Sequence, residues 1–493
     1  MGILTAITFL PLIGAIIILF VPKTRTGLIQ LLAMAFSLAT LGLCGWLYYA
    51  FDRTTASMQF VEQCSWIPNL NVEYFLGVDG LSVPLIILTA LLSLLSIVYS
   101  YSIKERVKEY FFFFLLLETG MLGVFAALDF FLFYMFWEIS LVPMYFLIGI
   151  WGGPKKEYAA IKFFLYTLFG SVFMLLAILA LYFKSDPHTF NMITLIGQYK
   201  NSWTFPFQML VFLAFYLAFA IKVPIFPFHT WLPLAHVEAP TAGSVILAGI
   251  LLKMGVYGLL RVNYTILPEM AVYFALPLAI LALINIVYGA LVAMAQQDLK
   301  KMVAYSSISH MGYCLLGMAA LTTTGFNGAV FQMINHGVIT GALFLLVGVI
   351  YERTHTRQLN DFGGLGARLP VYTGIMVTAT LASLGLPGLA GFVSELMCLL
   401  GAFMGKTPLI QLITIIAISG IVITAAFFLW MIQKVFLGPL KETWANLTDM
   451  TARELLCLVP LVILMLLLGI FPKFAVDLMD VTMTHLANML GNI

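Results

Sequence analysis

The chain alternates long apolar runs with short polar connections. The apolar runs fall at about 3–21, 28–50, 81–101, 110–128, 130–151, 161–183, 206–234, 242–262, 271–295, 303–321, 326–350, 371–403, 409–437 and 455–472. Each approaches or exceeds the roughly 20 residues that cross a hydrocarbon core as helix. The pattern predicts an all-α polytopic membrane protein of about 14 transmembrane helices. A barrel would alternate polarity residue by residue and give a far weaker signal. The first run lacks a basic leader and an A-x-A cleavage site, so it reads as a spanning helix rather than a signal peptide.

Two runs, 206–234 and 371–403, are too long for one straight crossing and carry proline near their centres: Pro224 and Pro227 in one, Pro387 in the other. Proline removes a backbone donor and clashes with the preceding turn. In a membrane such a break survives only where protein or water meets the freed backbone. Residues 110–262 and 263–437 each hold five helices with a broken one in fourth place. An odd number of crossings per block inverts the second relative to the first, a plan shared by many transporters. Residues 1–109 supply helices 1–3, and 438–493 supply the last helix and a tail.

Composition agrees with this pattern. The chain is 62% hydrophobic and 9% charged, whereas soluble domains run near a quarter charged. A net charge of +2 gives no footprint for nucleic acid. The loops are asymmetric: fifteen Lys and Arg fall on one side, and six (Arg53, Lys184, Lys200, Arg261, Lys406, Lys473) on the other. The positive-inside rule makes the richer side cytoplasmic and puts both termini outside. The five cysteines are scattered without a CxxC pair, which argues against an iron–sulfur or zinc site. No phosphate-binding loop or nucleophile elbow is present. The Gly-rich DFGGLG stretch, 361–366, reads as a loop.

Against this background the ionisable residues inside apolar runs stand out. A charge at the bilayer centre costs about 2.5–3.5 kcal/mol on insertion scales. Glu118, Glu138, Lys222, Lys253 and Glu395 lie in such runs, joined by His310 and His336. Static ion pairs between helices would explain one pair. Seven groups spread over seven helices fit a proton relay better. Lys222 lies two residues before Pro224, where the helix must open, and a carboxylate such as Glu138 moving closer or further would load and unload it. Glu395 lies eight residues after Pro387 in the second broken run. Gln332, His336 and Thr340 share one helix face, and Ser306 sits one turn from His310. Such stripes also serve plain helix–helix hydrogen bonding. Glu118 has no identifiable partner in the sequence, and His229 and His236 read as cap or loop residues.

The segments AIKVPIFPFHTWLPLAHVEAPTAGSVILAGILLKMGVYGLLR (220–261), QDLKKMVAYSSISHMGY (297–313), FQMINHGVITGALFLLVGVIYER (331–353) and LGLPGLAGFVSE (384–395) resemble the antiporter-like membrane subunits of respiratory complex I. LGVDGLS (76–82) and FWEISLVPMYFLIGIWGG (136–153) extend the resemblance over nearly the whole chain, which is most similar to the chain M (chain 4) type. The resemblance implies one proton pathway and no redox centre or cofactor in this chain, within NADH:quinone oxidoreductase of a bacterial cytoplasmic membrane. Its implied partners are membrane lipid, sister antiporter-like subunits and other membrane subunits, and a peripheral redox arm. It also implies roles: Glu138 paired with the pumping Lys222, Lys253 as central relay, His310 and His336 along the axis, and Glu395 as terminal site. Sister subunits and multisubunit cation/proton antiporters usually carry lysine where this chain has Glu395.

Three other readings remain from the residues: a subunit of a multisubunit cation/proton antiporter, the membrane arm of a ferredoxin-, F420- or hydrogenase-linked relative, and a membrane scaffold. Glu395 argues against the first and the row of buried charges against the third. The second is left open, because the electron donor binds other chains.

Overall fold

In hydrocarbon a backbone amide has no water to bond, so apolar chain satisfies its own amides by coiling into helix. The computed structural model describes residues 2–198, 203–405 and 407–491; Lys200 and Lys406 lie outside them. Six helices lead the chain: α1 (Ile3–Phe20), α2 (Thr26–Ala50), α3 (Ser82–Tyr99), α4 (Val107–Ala126), α5 (Phe130–Trp151) and α6 (Lys156–Lys184). Then come α7 (Phe205–Lys222), α8 (Trp231–Glu238), α9 (Thr241–Tyr264), α10 (Ala275–Met294), α11 (Leu299–Ala319) and α12 (Thr323–Thr354). The remainder is α13 (Pro370–Ser383), α14 (Ala390–Phe403), α15 (Pro408–Phe436), α16 (Ala452–Ile470) and α17 (Lys473–Gly491). Among the described residues, twelve helices are long and apolar enough to cross a membrane. Large apolar side chains such as Phe183, Leu210, Val422 and Leu456 are exposed, which suits a lipid-facing surface and not an aqueous one.

Both breaks occur at the prolines. The helix before Pro224 stops at Lys222 and resumes at Trp231; the helix before Pro387 stops at Ser383 and resumes at Ala390. The second break turns through Gly385 (φ +81°) and Gly388 (φ +90°), a backbone region that side chains with a Cβ seldom enter.

Two features lie outside the expected series of spanning helices. Residues 59–78 form an antiparallel hairpin, β1 (Gln59–Ile67) and β2 (Val72–Val78), with Cys64 opposite Tyr74. Its Glu62 accepts bonds from the Leu4 and Thr5 amides at 2.7 and 3.2 Å, satisfying donors that the start of α1 would leave bare. The chain also adds α17 beyond its last long apolar run.

The chain forms two compact units. One comprises Met1–Pro224, Ile250–Ala275 and Asp477–Ile493; the other comprises Ile225–Gly249 and Leu276–Val476. In the first, α4 meets α5 so closely that a Cβ on Gly120 would lie 2.8 Å from the Ser140 amide nitrogen. In the second, α10 meets α11 in the same way, with a Cβ on Gly289 falling 2.8 Å from the Ser309 nitrogen. Small residues permit such approaches between membrane helices. Gly289→Val is therefore expected to force α10 and α11 apart at a cost of about 1–3 kcal/mol, seen as inactivation at lower temperature. Gly42→Val, with nothing within 4 Å, serves as the comparison. Equal thermal stability of the two variants would contradict the close crossing.

Candidate functional site

Lys222 ends α7 in the first unit, is 1% exposed, and its ammonium makes no hydrogen bond to the described residues. It lies over the Trp137 ring at 5.2 Å and the Phe163 ring at 5.9 Å, where the negative faces of the rings attract a cation. The carboxylate whose charge bears on it is Glu138, the residue after Trp137 on α5. The two form no ion pair within 4 Å among the described residues. The sequence suggested a Lys222–Glu138 pair; the structure adds an aromatic shelf beneath the lysine, made by Trp137 and Phe163. Glu138 is half-buried, with Tyr134, one turn earlier, in hydrogen-bonding reach.

Lys253 is fully buried in α9, between π-helical stretches at Leu247–Leu251 and Leu259–Tyr264. Such wide turns loosen the regular ladder and are frequent at functional positions. Arg261, counted from sequence among the loop cations, is instead buried in the second of these stretches. Its guanidinium meets the equally buried Asp79 at 2.5 Å and also bonds Ser82 and Tyr257. Asp79 accepts the Leu81 and Ser82 amides as well, so one carboxylate caps α3 and neutralises Arg261. Glu118 gains a partner that the sequence did not reveal: the Ser37 hydroxyl of α2, at 3.1 Å.

The second unit gathers His310, His336 and Glu395. His310 Nδ1 lies 2.9 Å from Glu395 Oε1 and its Nε2 lies 3.1 Å from Ser383 Oγ. The His336 ring is centred 5.7 Å from that of His310. A cavity of about 10 Å³ is lined by His310, Gln332, His336, Ser383, Gly391 and Glu395, with Ile339. That is close to the space one water needs, and the walls offer several polar partners. The start of α14 is pinned by Asn335, which donates to Ala390 O and Ser394 Oγ, while Ser394 donates to Gln332. The face predicted for Gln332 and His336 is thus used in two ways: the glutamine anchors a helix and the histidine faces the cavity.

The polar groups near the first break are also assigned. Asn285 accepts the Phe226 amide at 2.9 Å, and Tyr288 meets His229 at 3.3 Å. His229 lies in the turn between α7 and α8, as the sequence suggested, but is buried; His236 lies instead within α8, buried and stacked on Phe344. Lys300, another cation expected in a loop, is buried and donates to Ala239 O. With Arg357, which donates to Val237 O, it satisfies carbonyls at the C-terminal end of α8.

Twelve long apolar helices among the described residues, with a buried ammonium at one break and a histidine–carboxylate pair at the other, define a multi-spanning membrane protein. The model of the family described as NADH:quinone oxidoreductase/Mrp antiporter, TM, matches residues 127–424, and that of NADH-ubiquinone oxidoreductase chain 4, amino terminus, matches residues 6–125. The chain belongs to this family of antiporter-like oxidoreductase subunits. It is 44% identical to NADH-quinone oxidoreductase subunit M of Rhodobacter capsulatus, covering 98% of this chain and 96% of that one. It is 43% identical to NAD(P)H-quinone oxidoreductase chain 4 1 of Synechococcus elongatus, covering 98% and 91%. Its fold is similar to a chain of respiratory complex I from Thermus thermophilus with bound NADH, with TM-score 0.89, 31% identity and 99% and 100% coverage.

Proposed function

We propose that this chain is a proton-translocating subunit of the membrane arm of an NADH:quinone oxidoreductase. It moves protons by way of Glu138, Lys222, Lys253, His310, His336 and Glu395 while other chains carry the electrons to quinone. The observation that carries the site assignment is the placement of titratable groups at both helix breaks, with His310 and Glu395 beside a cavity of one-water size. A proton hops only between groups in hydrogen-bond contact or joined by water, and both conditions are available there. At the first break, the lysine on its aromatic shelf is a charge whose cost depends on how near Glu138 comes.

Several features support reading residues 110–262 and 263–437 as two inverted repeats within a chain of fourteen crossings. Ser140 follows Gly120 by the same interval as Ser309 follows Gly289, and both pairs make the same close crossing. Asp129 accepts the amides of residues 131 and 132 at the start of α5, as Asp298 accepts those of 300 and 301 at the start of α11. Each aspartate also forms an isolated antiparallel bridge with residues after the next long helix, Asn191 and Gln358 respectively. Residues 1–109 and 438–493 flank the repeats. Likeness to a bacterial subunit M supports a bacterial cytoplasmic membrane location; the loop charges support both termini outside, and the bias remains when the buried Arg261 and Lys300 are set aside.

The rival with a specific basis is a subunit of a multisubunit cation/proton antiporter, since one family description spans both kinds. Glu395, where such subunits usually carry lysine, favours the oxidoreductase. Purification through a tag on this chain separates the two. An NADH-oxidising flavin module and sister membrane subunits should copurify; recovery of antiporter subunits alone would overturn the assignment.

A further inference from the structure

A hydroxyl inside a membrane helix usually bonds a carbonyl one turn back. Along α13, Thr373, Thr378 and Thr380 all do so, donating to Leu369, Gly374 and Met376 at 2.7–2.8 Å. Ser383, the last residue of the same helix and 2% exposed, does not. Its hydroxyl meets His310 Nε2 at 3.1 Å instead. It is thus the contribution of the first half of the broken helix to a ring whose other nitrogen is held by Glu395 of the second half. Gly385, inside the break, closes the same corner: a Cβ there would lie 3.3 Å from Glu395 Oε2.

We propose that Ser383 is a positioning residue for His310, selecting which ring nitrogen carries the proton and reversing its hydrogen bond when the ring is loaded. This rests on the proton-pathway reading above. With His310 neutral, Nδ1–H donates to Glu395 and Nε2 accepts from the Ser383 hydroxyl. That tautomer is the one matched to both neighbours, because the carboxylate can only accept. When a proton arrives on Nε2, the ring becomes a donor at both nitrogens. Ser383 then accepts, and its own O–H swings to a backbone carbonyl of α13, the bond its threonine neighbours already make. The bonds that change are the Nε2–H bond formed and the O–H bond of the hydrated proton that delivers it, which leaves behind water; Ser383 itself gains and loses no covalent bond. The groups facing the ring are Glu395 from α14, His336 and Gln332 from α12 and Tyr313 on its own helix; among the described residues Ser383 is the one bonded at Nε2, and it can exchange donor for acceptor there without changing its charge.

The test uses the assembled complex in membrane vesicles, with NADH-driven proton uptake followed from acid to alkaline pH. Ser383→Ala removes the acceptor for the second ring proton, so the alkaline limb of pumping should move toward acid by about one pH unit, a tenfold change in proton affinity. Ser383→Thr should restore the wild-type limb. Thr380→Ala, whose hydroxyl serves only its own helix, should leave it in place. An unmoved limb in Ser383→Ala, or no rescue by threonine, overturns the proposal. Failure of both Ser383→Ala and Ser383→Cys to assemble would assign the serine to the scaffold and overturn it equally. Glu395→Gln in the same vesicles tests the underlying reading: undiminished pumping there rejects the pathway itself. Lost pumping in Glu395→Gln beside an unmoved Ser383→Ala profile rejects only the serine's role.

Discussion

Lys222→Ala in the assembled complex is expected to abolish proton pumping through this subunit and slow coupled quinone reduction about tenfold or more, roughly 1.4 kcal/mol or more on the barrier. The substitution leaves Trp137, Phe163 and Glu138 in place and removes the charge they act upon. Glu138→Gln should have the same consequence from the other side, because the lysine would lose the carboxylate that changes the cost of its charge. Lys222→Arg separates charge from proton exchange: a guanidinium stays protonated, so it should fail as alanine does. Acidification of vesicles driven by NADH reports all three. Full pumping by Lys222→Ala or Glu138→Gln would remove that pair from the pathway.

The second large effect lies away from the relay. Asp79 and Arg261 form an ion pair with side chains 2% and 7% exposed. Removing one member strands the other charge in the interior, at about 3–5 kcal/mol. Asp79→Leu or Arg261→Met alone should therefore give little assembled complex and inactivate at much lower temperature. The double variant should recover most of the loss, less about 1 kcal/mol for the α3 cap that Asp79 also provides. A double variant as unstable as the sum of the singles would mean that the two charges do not depend on one another.

These residues also mark how far the sequence could be read. The helices and both breaks were legible because bilayer thickness fixes run length and proline disrupts the helical ladder at a known place. Titratable residues inside apolar runs were legible because their insertion cost singles them out. Partners were harder to see. His310 and Glu395 are 85 residues apart, and Glu118 is 81 from Ser37; only packing brings them together. Arg261 and Lys300 sit where hydropathy falls away, so a window average treats them as loop. The Trp137 shelf under Lys222 had no signal among so many aromatic residues. The hairpin at 59–78 escaped notice because its strands are short and mixed in polarity, a pattern shared with irregular loops.

The matched crossings of Gly120 with Ser140 and Gly289 with Ser309 also bear on the history of the chain. Two residues before the crossing serine, the first block has Glu138 and the second Ser307; one residue after it, the first has Leu141 and the second His310. If both blocks descend from one ancestral unit, duplication kept the backbone joint and released the neighbouring positions to specialise. One copy then acquired an acid next in sequence to the tryptophan under a lysine, and the other an imidazole paired with an acid. Divergence of this kind gives a single polypeptide two unlike stations, each of which selection can adjust without disturbing the joint that both inherited.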